Sequence, residues 1–405
     1  MKWEKVKLGD IATFSNGINF NKTAYAKGIK LIGVSNFGDR FYPDYSQLQE
    51  VKKDIVRLED CLRNGDIVFV RSNGNKELVG RCMLVKNPTE RVTYSGFCIR
   101  ARLNDTDRYD PVYFTYYFKS KAFRRAVSGT AVGANIQNLS QARLSNHECR
   151  IPSIEVQRRI ADILSVYDDL IENNQKQIKL LEEAAQRLYK EWFVNLRFPG
   201  HENTKIVDGV PEGWQYEKLG DLVKTTSGGT PSRRKSEYYV NGNIRWIKTK
   251  ELNDRFIFET EEHITEDAVK NSSAKVLPEG ALIVAMYGAT IGKIGITAAE
   301  MACNQACCAF ISFDDMISKE YLYCWIMDNR EYLVSQGKGA AQSNLSQEMI
   351  RNFSLLCPDK KVIKKFTEIV TTMLENKRVL ENKILMLSKA RDDLLPKLMS
   401  GEVEV

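Results

Sequence analysis

Residues 138–141 read NLSQ, and the same four letters return 206 positions later, at 344–347. The surroundings repeat as well. At the same shift IPSIEVQRRIADIL (151–164) falls on CPDKKVIKKFTEIV (357–370), so that Pro152 meets Pro358, Arg159 meets Lys365 and Ile163 meets Ile369. Upstream, WEKVKLGDIATFSNG (3–17) answers YEKLGDLVKTTSGG (216–229), RNGDIVFV (63–70) answers PEGALIVAM (278–286), and PVYFTYYF (111–118) answers KEYLYCWI (319–326). The matches are colinear, with small changes of offset of the kind loop insertions make. A period this long excludes solenoids and propellers. The chain is therefore read as one unit written twice, each copy a larger domain followed by a helical segment. Such a pseudo-twofold molecule suits a bipartite or roughly symmetric target.

The helical segments carry a heptad pattern. In the first copy Ile160, Leu164, Tyr167, Ile171, Ile178, Leu181, Ala185, Leu188 and Trp192 follow one another at intervals of three and four, with Asn174 on the same line. In the second, Phe366, Val370, Met373, Leu380, Ile384, Leu387 and Leu394 do so, with Lys377 and Arg391 on the line. A seam this narrow needs a partner, either the helix's own globular domain or the other helix. Continuous charge on the remaining faces favours helix on helix. A twofold relation makes the pair antiparallel, and Asn174, Lys377 and Arg391 then fix its register at some cost in stability. The stretch from Glu155 to Glu191 gives a rod of about 55 Å. Four residues inserted after Leu181 should lengthen it by about 6 Å.

The larger part of each copy mixes β-rich runs with one aromatic helix. In the first, KLIGVSN, DIVFVRS, RCMLVKN and YSGFCIRARL are strand candidates separated by turn residues, and PVYFTYYFKSKAFRRAV reads as a helix opened by Pro111. The expected fold is α+β, with two such domains joined by two long helices in an antiparallel coiled coil. The expected boundaries are 1–150 for the first domain, 151–195 for the first helical region, 196–212 for a linker, 213–356 for the second domain, and 357–405 for the second helical region and tail.

Composition sets outer limits. The apolar fraction is 43%, the charged fraction 27% and the net charge +7, an ordinary globular balance that permits a polyanionic partner. The nine cysteines are odd in number and scattered, and MKWEKVKLGDIATF holds no apolar leader. Free thiols and a cytoplasmic location are expected. The stretch 280–299, GALIVAMYGATIGKIGITAA, is long enough to span a bilayer. Its glycines divide it, and it reads as two buried strands joined by a turn.

No catalytic motif assembles. GATIGKIG (288–295) fails the phosphate-loop spacing, and Ile294 stands where Ser or Thr is required. There is no Pro-Pro pair to complete the base-flipping motif of amino-group DNA methyltransferases. Asp44, Glu50 and Lys52 spell a minimal PD…ExK pattern that would gather magnesium, though five intervening residues leave little room for two strands. Cys303, Cys307 and Cys308 cluster, but no C-x-x-C pair accompanies them, and His147, His201 and His263 are far apart in sequence. Neither a catalytic set nor a metal site is expected.

The loops are rich in groups that reach base edges and phosphates: SNGINFNK, VSNF and VRSNGNKE in the first copy, TSGGTPSRRK, WIKTKELND and MYGATIGK in the second. Here a family resemblance enters, covering nearly the whole chain. WQYEKLGDLVKTTSGGTPSRRKSEYYVNGNIRWIKTKEL resembles the opening of a target recognition domain of type I restriction–modification specificity subunits. NLSQ, then proline and a long helix, resembles their junction into the conserved helical regions, and LLPKLMSGEV resembles their ending. The resemblance implies a non-catalytic chain that reads a bipartite double-stranded DNA target, one half-site per domain, through the major groove. It implies docking of two modification (methyltransferase) subunits and of restriction subunits, with S-adenosylmethionine, ATP and magnesium held by those partners. The expected contact residues are Ser15, Asn16, Asn36, Arg71, Asn73 and Lys76 in the first domain. In the second they are Ser227, Thr230, Ser232, Arg233, Arg234, Lys248, Lys250, Tyr287, Thr290 and Lys293. Two other readings stay open: a stand-alone magnesium-dependent nuclease using Asp44, Glu50 and Lys52, and a coiled-coil scaffold that binds proteins only.

Overall fold

In the computed structural model the described residues are 3–38, 40–73, 78–128, 138–337 and 344–405. They form two compact units, Met1–Ile171 with Met386–Val405, and Glu172–Leu385.

The first unit is built on an antiparallel sheet in the order Ala12–Asn16, Cys98–Leu103, Ile67–Val70, Cys82–Leu84. Every residue of the IVFV strand is buried, because both faces of the sheet are covered. Ile67 and Phe69 join the core under the aromatic helix Pro111–Lys119, and Val68 and Val70 join a second core with Val92 and Tyr94. A three-stranded sheet, Gln49–Val51, Tyr25–Ile32, Val92–Tyr94, carries that second layer. The helix expected over 111–127 is two helices, Pro111–Lys119 and Lys121–Ser128, because Ser120 turns extended (ψ 143°).

The second unit repeats the plan. Its main sheet runs Val223–Ser227, Cys307–Phe313, Leu282–Ala285, Ile294–Thr297, Arg255–Ile257. Leu282 and Val284 face the core of the aromatic helix Lys319–Asp328, while Ile283 and Ala285 face the opposite core. The apolar stretch 280–299 is thus two buried antiparallel strands. The turn between them relies on Gly288 and Gly292 at φ +87° and +76°, a conformation that costs glycine nothing. Among the described residues no helix is long and apolar enough to cross a membrane. All nine cysteines are free and buried.

Each domain is closed where the chain leaves it. Glu4–Lys7 pairs antiparallel with Glu148–Ile151, and Gln215–Lys218 pairs in the same way with Ser354–Cys357. A long helix follows each exit strand, Ile154–Tyr189 and Lys360–Ser400. Both helices are shared between the units. The start of the first and the end of the second lie in the first unit; the end of the first and the start of the second lie in the second.

The helices do pack on each other, antiparallel, but not as an isolated two-stranded seam. In the first unit Ile160, Ala161 and Leu164 share one core with Leu395, Leu398 and the aromatic helix residues Tyr113, Phe114 and Tyr116. In the second unit Ala185, Tyr189 and Trp192 share a core with Phe366, Val370, Leu374 and Tyr321. Residues off the heptad line, Ala161, Tyr189, Val362, Leu374 and Leu395, are buried too. The apolar stripe is wider than a heptad seam because each stretch has two neighbours, the other helix and its domain. Of the seam residues, Ile160, Leu164, Ile171, Asn174, Phe366, Val370 and Lys377 are buried. Tyr167, Ile178, Leu181, Leu188, Met373, Leu380, Ile384, Leu387 and Leu394 are half-buried.

The two cations on the seam find anions on the facing helix. Arg391 Nη1 lies 2.5 Å from Asp168, which also accepts the Tyr116 hydroxyl at 2.6 Å. Lys377 Nζ lies 2.6 Å from Glu182 and 3.1 Å from the Tyr323 hydroxyl. The pairs obey one register: fourteen positions back along the second helix, from 391 to 377, are fourteen forward along the first, from 168 to 182.

Beside Lys377 sits Glu381, 6% exposed, with Oε2 accepting the Phe256 amide at 2.8 Å and Oε1 3.9 Å from Lys377 Nζ, without a hydrogen-bond partner among the described residues. Burial pushes its carboxyl up to about 7, against the pull of Lys377, the Phe256 amide and Arg255, while Glu182 adds to the rise. A carboxyl raised in the fold holds its proton after the unfolded chain has lost it. Its contribution is therefore complete below about pH 4.5, the unperturbed value, and is lost as pH rises through about 7. Glu381→Gln is expected to raise the melting temperature of the second unit at pH 8 and to leave it nearly unchanged at pH 4.5. An equal difference at both pH values in calorimetry would refute this.

Candidate nucleic-acid interface

In each domain the polar loops converge on one end of the main sheet. In the first, Asn16 stands opposite Ile99 and Val70 opposite Cys98, so Ser15, Asn16, Arg71 and Asn73 follow from neighbouring strand ends. In the second, Ser227 stands opposite Cys308 and Ala285 opposite Cys307, which brings Ser227 and Tyr287 together in the same way. A glycine follows the first strand in both. A Cβ on Gly17 would overlap the carbonyl oxygens of Tyr94 and Ser95, and one on Gly228 the carbonyl of Cys303. Only glycine lets the backbone pass there.

NLSQ fastens this end. Asn138 bridges to Ser72, and Asn344 to Tyr287. The Leu139 amide donates to the Arg71 carbonyl (2.8 Å), and the Leu345 amide to the Met286 carbonyl (2.7 Å). Both leucines are buried. Ser140 and Ser346 N-cap the short helices Gln141–Ser145 and Gln347–Arg351, a role serine fills by accepting an orphan amide. Gln347 accepts from the Ser227 hydroxyl (2.9 Å) and donates to Thr225 Oγ1 (2.8 Å). With its amide turned to satisfy donors and acceptors, Gln141 bonds the Phe14 carbonyl and the Asn16 amide, both at 3.1 Å. The motif recurs because each domain needs the same clasp.

The DNA specificity domain of type I restriction–modification systems matches residues 1–183 and again 211–386. The chain belongs to this family. It is a type I restriction–modification specificity subunit. The MjaIX specificity subunit of Methanocaldococcus jannaschii is 28% identical over 333 residues, covering 81% of this chain and 76% of that one. The HindI specificity subunit of Haemophilus influenzae is 25% identical over 477 residues, covering 99% of each. The crystal structure of a type I S subunit from M. genitalium shares the fold, with a TM-score of 0.60 over 98% of this chain and 96% of that one, at 16% identity.

In this specificity subunit several expected contact residues are engaged within their own domain. Asn36 accepts the Gly33 amide (2.8 Å), and Glu251 accepts the Lys248 amide (2.7 Å) at the matching turn of the second domain. Arg71 donates to the Gly96 carbonyl (3.2 Å). Asn73 is half-buried and partnered, and Lys76 lies outside the described residues.

The second domain gathers more charge. Arg233 lies 2.6 Å from Glu262 and 4.3 Å over the Tyr239 ring. Lys248 lies 2.5 Å from Glu262 and 3.0 Å from Glu261, which Lys250 also contacts. Burial pulls the Lys248 ammonium down, but hydrogen bonds to Glu262 and Glu261 outweigh it and hold it above the usual lysine range. Hydrogen bonds from Lys250 and Lys248 drop the Glu261 carboxyl to about 2. This network places Arg233, Lys248 and Lys250 together. The Thr290 hydroxyl joins by donating to the Thr249 carbonyl (2.8 Å). Lys293 is set apart: it pairs with Asp254 (2.7 Å), which Arg330 also holds. Thr230 meets Gln305, and Ser232 and Arg234 are exposed.

The remaining motif residues have structural partners. Asp44 caps a short turn through Ser46 and pairs with Arg40 (2.9 Å), Glu50 accepts the Gly28 amide (2.6 Å), and Lys52 is exposed. Cys303, Cys307 and Cys308 lie in or beside strands, and burial pushes the Cys308 thiol up to about 12. His147 meets the Tyr117 hydroxyl at 2.8 Å. No group of three metal-ligating side chains occurs among the described residues. The residues missed from sequence are Gln141, Gln347, Gln305 and the acidic partners Glu251, Glu261 and Glu262. The glutamines of the repeated NLSQ carried a visible signal. The glutamates did not, because their partners are set by loop folding.

Proposed function

We propose that this specificity subunit reads a two-part double-stranded DNA sequence, one half-site with each repeated domain, and docks two modification subunits and restriction subunits. The methyl donor, ATP and magnesium are then held by those partners, and the complex works in the cytoplasm, where the DNA is. The paired helices set the number of base pairs between half-sites. One observation carries the reading: the same clasped sheet end occurs twice, presenting different polar side chains each time. A fixed frame with exchangeable loops is what direct readout of two unrelated half-sites requires.

The test is genome-wide adenine methylation in cells carrying the modification subunit, with and without an intact copy of this chain. A bipartite motif methylated at nearly every occurrence is expected with the chain and none without it. An unchanged methylome would overturn the reading.

A further inference from the structure

At the centre of each sheet end lies a tight turn that no expected contact residue occupies. In the first domain it is Ser95-Gly96-Phe97-Cys98, closed by the Cys98 amide on the Ser95 carbonyl (2.8 Å). In the second it is Asn304-Gln305-Ala306-Cys307, closed by the Cys307 amide on the Asn304 carbonyl (3.2 Å). The supporting bonds correspond. The Arg71 amide donates to the Phe97 carbonyl (2.8 Å) and the Met286 amide to the Ala306 carbonyl (2.9 Å). In the first domain the Gly96 amide donates to the Ile18 carbonyl (2.7 Å), and the Arg71 guanidinium to the Gly96 carbonyl (3.2 Å). The turn is therefore seated between the two polar loops that follow Ser15-Asn16 and Arg71.

The frames agree, but the tips differ. The first turn exposes a phenyl ring: Phe97 is 63% exposed, beside a glycine whose place for a side chain is taken by the Asn19 amide. The second exposes an amide: Gln305 is exposed and meets Thr230, while Ala306 is buried. A large ring left in water contributes no burial to the fold. It would gain from a partner presenting an apolar edge. In the major groove that edge is the thymine methyl, whereas a glutamine amide matches the N6/N7 edge of adenine.

We infer that this turn is the base-reading tip of each recognition domain, with Phe97 the specificity-determining residue of the first half-site through a thymine methyl and Gln305 that of the second through adenine. This rests on the two-part DNA reading proposed above. The test uses the complex of the full chain with its modification subunits and a duplex carrying the methylated motif. Each thymine of the first half-site is replaced in turn by deoxyuridine, which removes only the methyl group. One replacement is expected to weaken binding about fourfold, the value of one buried methyl-sized group, and Phe97→Ala is expected to abolish that difference. In parallel, Gln305→Ala should relax preference for adenine at one position of the second half-site by about fivefold or more, with the first half-site unchanged. Because both side chains are exposed, folding is not at stake. Uniform indifference to deoxyuridine, or the same loss in Phe97→Ala, overturns the assignment of Phe97. Unaltered second half-site preference in Gln305→Ala overturns that of Gln305. Both leave the two-part reading intact, since the wild-type complex still selects its motif. Absence of any sequence preference in the wild-type complex would instead sink that reading, and the inference with it.

Discussion

Arg391→Ala is expected to cost the first unit about 3–5 kcal/mol, the usual loss when one partner of a buried ion pair is removed. Asp168 is 5% exposed and would keep only the Tyr116 hydroxyl at 2.6 Å. The strain falls where the second helix ends against the first domain's core, through Leu395 and Leu398. Hydrogen exchange should therefore speed up in the first unit and stay unchanged in the second. The double replacement Arg391→Met with Asp168→Leu should recover most of the loss, because no buried charge is then left alone. Wild-type denaturation of the single variant would show that the pair contributes nothing. Lys377→Met is expected to act in the same way on the second unit, where Glu182, Tyr323 and the Asp254 carbonyl all face the ammonium group.

The second large effect concerns the gap proposed between half-sites. Four residues inserted in the first helix alone, after Leu181, would fall between the two ion pairs on one helix only and put Lys377 and Arg391 out of a common register. The informative variant inserts four residues in both helices, between Asp168 and Glu182 and between Lys377 and Arg391. Both pairs then re-form, and the helices lengthen by about 6 Å, nearly two base pairs of rise. The added turn overshoots a full rotation by about 40°, in the same right-handed sense as the duplex. The preferred spacer should grow by one to two base pairs with both half-sites unchanged. Binding to the original spacing should fall tenfold or more, since the duplex would have to be deformed to fit. Methylome sequencing reads both. An unchanged spacer would end the proposal that the helices measure it, while leaving each domain's recognition untouched.

Much of this molecule was legible in its residues. The repeat of NLSQ and its neighbours announced two copies of one domain, because the clasp it forms is local: a buried leucine, a serine cap and a glutamine reaching a strand end nearby. The heptad line announced two long helices, because spacing along a helix dictates which side chains share a face. The glycine-divided run at 280–299 announced paired strands for the same local reason. The partners, however, were decided by the fold. Nothing at Arg391 names Asp168, 223 positions away. Nothing in the heptad pattern says that each helix end completes the core of the domain it did not come from. Loop chemistry pointed to Lys248 and Lys250, but not to Glu261 and Glu262, which neutralise them. It also passed over Phe97 and Gln305, since an isolated aromatic or amide in a turn carries no periodic signal. Periodicity and capping are properties of neighbouring residues and can be read along the chain, whereas charge pairing and the exposure of a turn depend on residues that only the folded structure brings together.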